Sequence, residues 1–80
     1  MPSPNAFHPR THFRQRAAER GFTLEQAETC VRSPDKKRRQ GKGEEGGFIE
    51  VFQKTFEART LFIVAEVKGA ACSLITGYWQ

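Results

Sequence analysis

The sequence predicts an α+β fold in which two N-terminal helices pack on a three- to four-stranded antiparallel sheet. Three observations predict it. Apolar residues recur at helical spacing in the first part of the chain, they alternate with polar residues in the second part, and short turns separate the alternating segments. A chain of 80 residues with seven phenylalanines can form one small core. We therefore expect a single domain over residues 9–80, preceded by a flexible, proline-containing lead at residues 1–8.

The first helix is expected over residues Pro9 to Arg20. Phe13 and Ala17 give this segment an apolar stripe. Gly21 can adopt the left-handed conformation that commonly ends a helix. Proline is favoured in the first turn of a helix, so Pro9 is a plausible start.

The second helix is expected to begin after Thr23 and to end before Pro34. Thr23 and Gln26 have the spacing of a capping box, in which each side chain bonds the backbone of the other residue. The residue before a proline is pushed out of helical geometry, so Ser33 marks the end. Leucine, alanine, cysteine and valine at positions 24, 27, 30 and 31 form the apolar face.

Three segments have the character of strands joined by short turns. They are Phe48 to Lys54, Thr60 to Val67 and Cys72 to Trp79. The middle segment is apolar on both faces, which predicts a central strand. Strict alternation in the last segment would put Thr76 and Tyr78 on the same face as Cys72 and Leu74.

The basic run Lys36, Lys37, Arg38 and Arg39 has two interpretations. It can form a short edge strand, whose charges deter edge-to-edge aggregation. It can equally be a patch that binds the phosphate backbone of a nucleic acid. The sequence leaves both open.

The overall charge favours an anionic partner, because the net charge is +4 and the isoelectric point is near 9.5. Cys30 and Cys72 lie in apolar segments, which predicts buried small side chains rather than a disulfide or redox pair. Met1 to Asn5 lacks the apolar segment of a secretory signal, so reduced thiols and a cytoplasmic setting are expected. The longest apolar run, Leu61 to Ala65, is too short to span a membrane. No spacing of histidines and cysteines is typical of a metal site, so neither a metal nor a cofactor is expected.

His12, Arg16 and Arg20 lie four residues apart and therefore form one stripe along the first helix. Histidine can exchange a proton near neutral pH, and arginine can bind a phosphodiester through two parallel hydrogen bonds. The structural alternative is a solvated basic face. In that case Arg20 interacts with the helix dipole and His12 fastens the helix to the sheet.

A helix packed across the sheet would bring this stripe to a rim where several strands end. Lys54, Thr76 and Tyr78 would then join the stripe in a small cleft. The alternative for Tyr78 is a packing role at the rim, as is common for aromatic residues at strand ends.

Several short motifs together resemble a known bacterial family. They are an HxxxRxxxRG start with an F-T-x-E-x-A continuation, the break Ser33-Pro34-Asp35, three strand segments and a closing I-T-G-Y. Over His12 to Tyr78 the chain is similar to a domain family of uncharacterised function that is grouped with RelE-like and BrnT-like toxin ribonucleases. The resemblance implies a RelE-like arrangement of N-terminal helices against an antiparallel sheet.

The resemblance further implies a small ribonuclease that cleaves RNA without metal, through attack of the ribose 2′-hydroxyl on the phosphodiester. His12 would be the general base or acid, and Arg16 and Arg20 would bind the phosphate. Lys54 would stabilise transition-state charge, and Thr76 or Tyr78 would orient the phosphate or share a proton. The implied partners are RNA, which the basic run at residues 36–39 would also contact, and an acidic antitoxin-like protein.

Two other functions are compatible with the same residues. One is a noncatalytic module that binds nucleic acid or protein through the basic face. The other is an adaptor whose sheet edge pairs with a strand of a partner.

Overall fold

Two helices and one five-stranded mixed sheet make up residues 6–80, which are the residues that the computed structural model describes. In chain order the elements are β1 Ala6–Pro9, α1 Phe13–Arg20, α2 Leu24–Arg32, β2 Lys36–Lys42, β3 Phe48–Phe56, β4 Arg59–Lys68 and β5 Ala71–Trp79. The strands are arranged in the order β1-β5-β4-β3-β2. The predicted α+β class is confirmed.

The predicted sheet of three to four antiparallel strands is wrong in detail, because a fifth strand runs parallel to β5. This strand, β1, pairs Ala6 with Ala71 and Pro9 with Leu74. Residues 6–8 belong to the segment predicted as a flexible lead, and residues 1–5 of that lead lie outside the described residues. Four residues are too few to show an alternating pattern, and their pairing partners lie 65 positions further along the chain. Local sequence therefore contained no signal for this strand.

The helix α1 begins at Phe13, four residues later than predicted. Pro9 ends β1 instead of opening the helix, and the Arg10 N–H continues along β5 by donating to the Leu74 carbonyl at 2.9 Å. The predicted end is confirmed, because Gly21 adopts φ +75° and its N–H donates to the Ala17 carbonyl. Proline has no N–H group to donate to a neighbouring strand. It is therefore tolerated in β1, which lies at the edge of the sheet.

The helix α2 has the predicted capping box. The Gln26 N–H donates to Thr23 Oγ1 at 3.0 Å, and the Thr23 N–H donates to Gln26 Oε1 at 2.9 Å. Both bonds satisfy backbone groups that a helix N-terminus leaves free. The helix ends at Arg32, with Ser33 as its C-terminal cap.

Both helices pack on one face of the sheet and enclose the core there. The helix α1 contacts β5, and α2 contacts β4 and β3. The buried apolar residues are Phe13, Ala17, Phe22, Ala27, Cys30, Val31, Phe52, Leu61, Ile63, Ala65, Cys72 and Leu74. Neither helix within residues 6–80 is long and apolar enough to cross a membrane.

A β-bulge at Ile75 changes which face the end of β5 presents. Val64 of β4 pairs with Thr76, whereas the next residue, Ala65, pairs with Leu74. The extra residue reverses the alternation, so Thr76 and Tyr78 lie on the face opposite to the buried Leu74. The predicted shared face is therefore wrong. We call the sheet face opposite the helices the open face.

The basic run forms part of the edge strand β2, as one of its two interpretations predicted. The strand pairs with β3 on one side only, and all seven of its residues are exposed. Its register shifts between Arg39 and Gly41, which leaves Gln40 as a bulge. Charge and a bulge both protect an edge against unwanted pairing.

Candidate nucleic-acid interface

His12 and Arg16 form the first turn of the cationic stripe on α1. His12 is the residue that precedes the helix, and its backbone is already helical at φ −96° and ψ −1°. The Arg16 N–H donates to the His12 carbonyl at 3.0 Å, so the two side chains lie one turn apart on an exposed surface. Within residues 6–80 no hydrogen bond or ion pair occupies either side chain. Both are available to a ligand.

These two residues line an open concavity of about 530 Å³ between α1 and the end of β5. We call it the α1 cleft. Its lining residues are Arg10, Thr11, His12, Arg16, Ile75 and Thr76. No carboxylate is among them, so the wall combines cations with two hydroxyl groups. Such a set of donors suits an anionic group with several oxygens, such as a phosphate.

Arg10 lies in the α1 cleft and was missed by the sequence reasoning. Its Nη2 donates to Glu66 Oε1 at 2.8 Å and lies 3.2 Å from Glu45 Oε2. These two carboxylates compensate much of its charge. Arg10 therefore anchors the segment that leads into α1, and thereby positions His12 two residues later.

Glu66 is the centre of this anchor, on the central strand β4. It is 2% exposed, and its Oε2 accepts hydrogen bonds of 2.8 Å from the N–H groups of Glu45 and Gly47. Burial alone raises the pKa of Glu66, but these bonds and the Arg10 guanidinium outweigh it, so the net pKa lies below its ordinary value. A carboxylate in an otherwise apolar central strand was the sequence signal for such a partner.

Arg20, the third member of the stripe, is engaged by the sheet. Its Nη1 donates to the Gly77 carbonyl at 2.7 Å and to Thr76 Oγ1 at 3.1 Å. The predicted phosphate contact of Arg20 would require these bonds to be exchanged. The stripe thus consists of two available side chains and one that holds α1 to β5.

Lys54 and Tyr78 do not line the α1 cleft. Lys54 donates from Nζ to the Ser33 carbonyl at 2.9 Å and lies 3.9 Å from Asp35, beside the end of α2. Tyr78 extends from the open face and lines a different concavity. The structure therefore brings together three of the five predicted catalytic residues, namely His12, Arg16 and Thr76.

The second concavity lies on the open face and measures about 620 Å³. It is lined by Lys36, Lys37, Arg38, Gln40, Val51, Gln53, Phe62, Val64 and Tyr78. The rings of Phe62 and Tyr78 are parallel, with an interplanar angle of 1° and centroids 5.2 Å apart. Lys36 and Arg38 share this surface with the two aromatic rings, whereas Lys37 pairs with the buried Phe52 and its side chain belongs to the opposite face. Again no carboxylate lines the concavity.

The fourth residue of the basic run, Arg39, does not line the open-face concavity. Its guanidinium carbon lies 3.9 Å from the centroid of the Phe48 ring, a cation–π contact. The Lys37 ammonium lies 4.0 Å from the carboxylate of Glu50, a buried residue of β3. Lys36 and Arg38 are therefore the members of the run least engaged by other side chains.

The described residues contain no cluster of three or more histidines, cysteines, aspartates or glutamates that could hold a metal ion. Cys30 and Cys72 are both buried and free, so neither contributes to the α1 cleft or to the open face. The prediction of buried thiols is confirmed.

Comparison with known proteins adds no relative to this picture. The chain matches no known protein family, and no curated protein or solved structure is significantly similar to it. The relationship to RelE-like and BrnT-like proteins stays a prediction from the sequence motifs.

Proposed function

We propose that the protein binds RNA and that the α1 cleft holds a phosphate group of the backbone. The observation that supports this proposal is the pair His12 and Arg16, whose side chains have no partner within residues 6–80 and share a concavity without a carboxylate. A guanidinium group offers a planar fork of donors that fits two phosphate oxygens. The hydroxyl of Thr76 and the imidazole of His12 can add one hydrogen bond each.

Two observations support a nucleic acid, and RNA in particular, as the ligand. The net charge of +4 favours nucleic acid over neutral ligands. The sequence motifs that resemble RelE-like and BrnT-like ribonucleases support RNA in particular. Both arguments support the proposal independently of whether the protein cleaves its ligand.

The test is a fluorescence-anisotropy titration of labelled RNA against the protein and two arginine variants. Arg16→Ala should weaken binding and reduce the slope of log K against log salt by about 0.7 to 1, as expected for the loss of one phosphate contact. Arg14→Ala is the matched control, because Arg14 is an exposed arginine of the same helix that lies about 200° around its axis from Arg16. Equal effects of the two variants, or no binding by the parent protein, would contradict the proposal.

RNA cleavage in the same cleft is a second candidate, favoured by the exposed imidazole of His12 beside Arg16. His12 would take the proton of the ribose 2′-hydroxyl as its oxygen bonds to phosphorus and the bond from phosphorus to O5′ breaks. Arg16 would neutralise the additional charge on the phosphate oxygens. The α1 cleft holds one titratable base, so the proton for O5′ would come from His12 after its transfer or from water.

Cleavage is tested by incubating a labelled RNA with the protein in the presence of a chelator. His12→Ala should abolish the products while retaining RNA binding, because the cationic contact of Arg16 remains. Products that persist in His12→Ala at the parent rate would rule out this role of the histidine. An acidic antitoxin-like partner is proposed to cover the same cations, and it would then compete with RNA in the binding assay.

A further inference from the structure

The two helices leave the centre of the open face of the sheet uncovered. Both helices pack on the other face. Val51, Phe62, Val64 and Tyr78 nevertheless form a continuous apolar and aromatic surface across β3, β4 and β5. An exposed apolar patch bordered by polar groups is typical of a binding surface.

Phe62 and Tyr78 give this surface a pair of stacked aromatic rings. They are directly opposite each other across β4 and β5, and their rings are parallel within 1°. Tyr78 is 37% exposed, one of two large apolar side chains in residues 6–80 that reach this level of exposure. An exposed aromatic ring of this kind accepts a nucleobase by stacking, which depends little on base identity.

The positive charges around Phe62 and Tyr78 favour a polyanion as the ligand of the open face. Lys36 and Arg38 extend from β2 onto the concavity, and no carboxylate lines it. The amide groups of Gln40 and Gln53 add hydrogen-bond donors and acceptors for base edges and for a ribose 2′-hydroxyl. An apolar protein segment would leave these cations without anionic partners, and an acidic protein segment would offer no base to stack on the aromatic rings.

The open face adjoins the α1 cleft through Thr76. This residue lines the cleft, and it is the β5 partner of Val64, which lines the open-face concavity. The strands from β5 to β2 span three interstrand distances, or about 14 Å. Cations therefore flank the aromatic pair on both sides, with Arg16 beyond β5 and Lys36 and Arg38 on β2.

We propose that the open face binds single-stranded RNA, with bases stacked on Phe62 and Tyr78 and the backbone held by Arg38 and Lys36. This proposal rests on the proposed function, from which it takes RNA as the ligand. It adds that the RNA is single-stranded. A duplex keeps its bases stacked inside the helix, so it cannot stack them on the rings of Phe62 and Tyr78. The protein therefore distinguishes unpaired from paired RNA.

The test measures the affinity of one fluorescent RNA as a single strand, as a perfect duplex and as the DNA strand of the same sequence. The parent protein should bind the single-stranded RNA at least tenfold more tightly than the duplex. Tyr78→Ala should lose about tenfold in affinity for the single strand, and Tyr78→Phe should retain the parent affinity because the ring is kept. Circular dichroism checks that each variant is folded.

Phe48→Ala is the matched control for the loss of an exposed aromatic ring. Phe48 is 36% exposed, like Tyr78, and carries a cation over its ring, but strand alternation puts it on the face of the buried Phe52. This variant should bind RNA as the parent does.

Three results would overturn the assignment of the open face. They are duplex binding equal to that of the single strand, unchanged affinity in Tyr78→Ala, and equal losses in Tyr78→Ala and Phe48→Ala. Equal affinity for the DNA strand would overturn the choice of RNA. If Arg16→Ala still weakens binding in these cases, the α1 cleft binds phosphate although the open face does not bind the bases. If the protein binds none of the strands, both proposals are rejected.

Discussion

Arg20 of α1 donates a hydrogen bond of 2.7 Å to the carbonyl oxygen of Gly77 in β5. The strand β1 pairs with only the first four residues of β5, so the second half of β5 has no neighbouring strand on that side. The helix α1 covers this edge, and Arg20 satisfies a carbonyl group that would otherwise face solvent. One arginine of the stripe thus supports the fold, while Arg16 one turn earlier stays open to a ligand.

Arg20 and Arg16 should differ in how much each contributes to the stability of the fold. Arg20→Ala removes two hydrogen bonds from a charged donor and should lower the free energy of unfolding by about 1–2 kcal/mol. Arg16→Ala should change it by less than about 0.5 kcal/mol, as is usual for an exposed side chain. Urea denaturation followed by circular dichroism measures both. Equal destabilisation would show that Arg16 has a structural contact as well.

Gly77 should resist replacement even by alanine. An added Cβ would lie 2.6 Å from Ile63 Cδ1, 2.8 Å from Phe22 Cζ and 3.1 Å from the Phe62 carbonyl oxygen. We expect Gly77→Ala to lower the free energy of unfolding by about 1–3 kcal/mol, the usual effect of overpacking a core. Thermal and urea denaturation provide the measurement.

A second substitution tests whether overpacking is the cause. Ile63→Val removes the methyl group nearest to the new Cβ. It should therefore cost less in the Gly77→Ala background than in the parent protein, where it leaves a small cavity. Strictly additive effects of the two substitutions would contradict this explanation.

The helix ends were predictable because their determinants lie within a few residues of one another. Thr23 and Gln26 are three positions apart and form both bonds of the capping box, and Gly21 ends α1 through its own backbone conformation. The start of α1 was not predictable in the same way. It depends on the pairing of Pro9 with Leu74, a contact that no local pattern encodes.

The candidate site was predictable for residues on one helix and less so for residues on the sheet. His12 and Arg16 follow from helical spacing alone. Tyr78 was assigned to the wrong face because the bulge at Ile75 reverses the alternation, and a bulge leaves no fixed sequence mark. Arg10 was missed because its role depends on Glu66, which is 56 positions away.

The two cysteines should be unreactive in the folded protein. Burial raises the pKa of the Cys30 thiol to about 12, with a smaller opposing effect of Lys54, and burial beside Glu50 raises the pKa of Cys72 to about 12. A thiol-reactive dye at pH 8 should therefore label neither residue in the native state and both in denaturant. Rapid labelling of the native protein would show that the core opens near these residues.

The carboxylate of Glu66 should make the stability of the fold depend on acid pH. Its pKa in the folded protein lies below the ordinary value, because the Glu45 and Gly47 N–H groups and Arg10 outweigh the effect of burial. The stabilisation is therefore complete above the ordinary pKa, and it is lost as the pH falls through the lower pKa of the folded state.

Glu66→Gln removes the titrating group but keeps the shape of the side chain. The difference in unfolding free energy between parent and variant should be constant above about pH 5 and should shrink on acidification. Urea denaturation at a series of pH values measures this difference, and a difference that is independent of pH down to 2 would show that the Glu66 hydrogen bonds contribute nothing specific to the charged form.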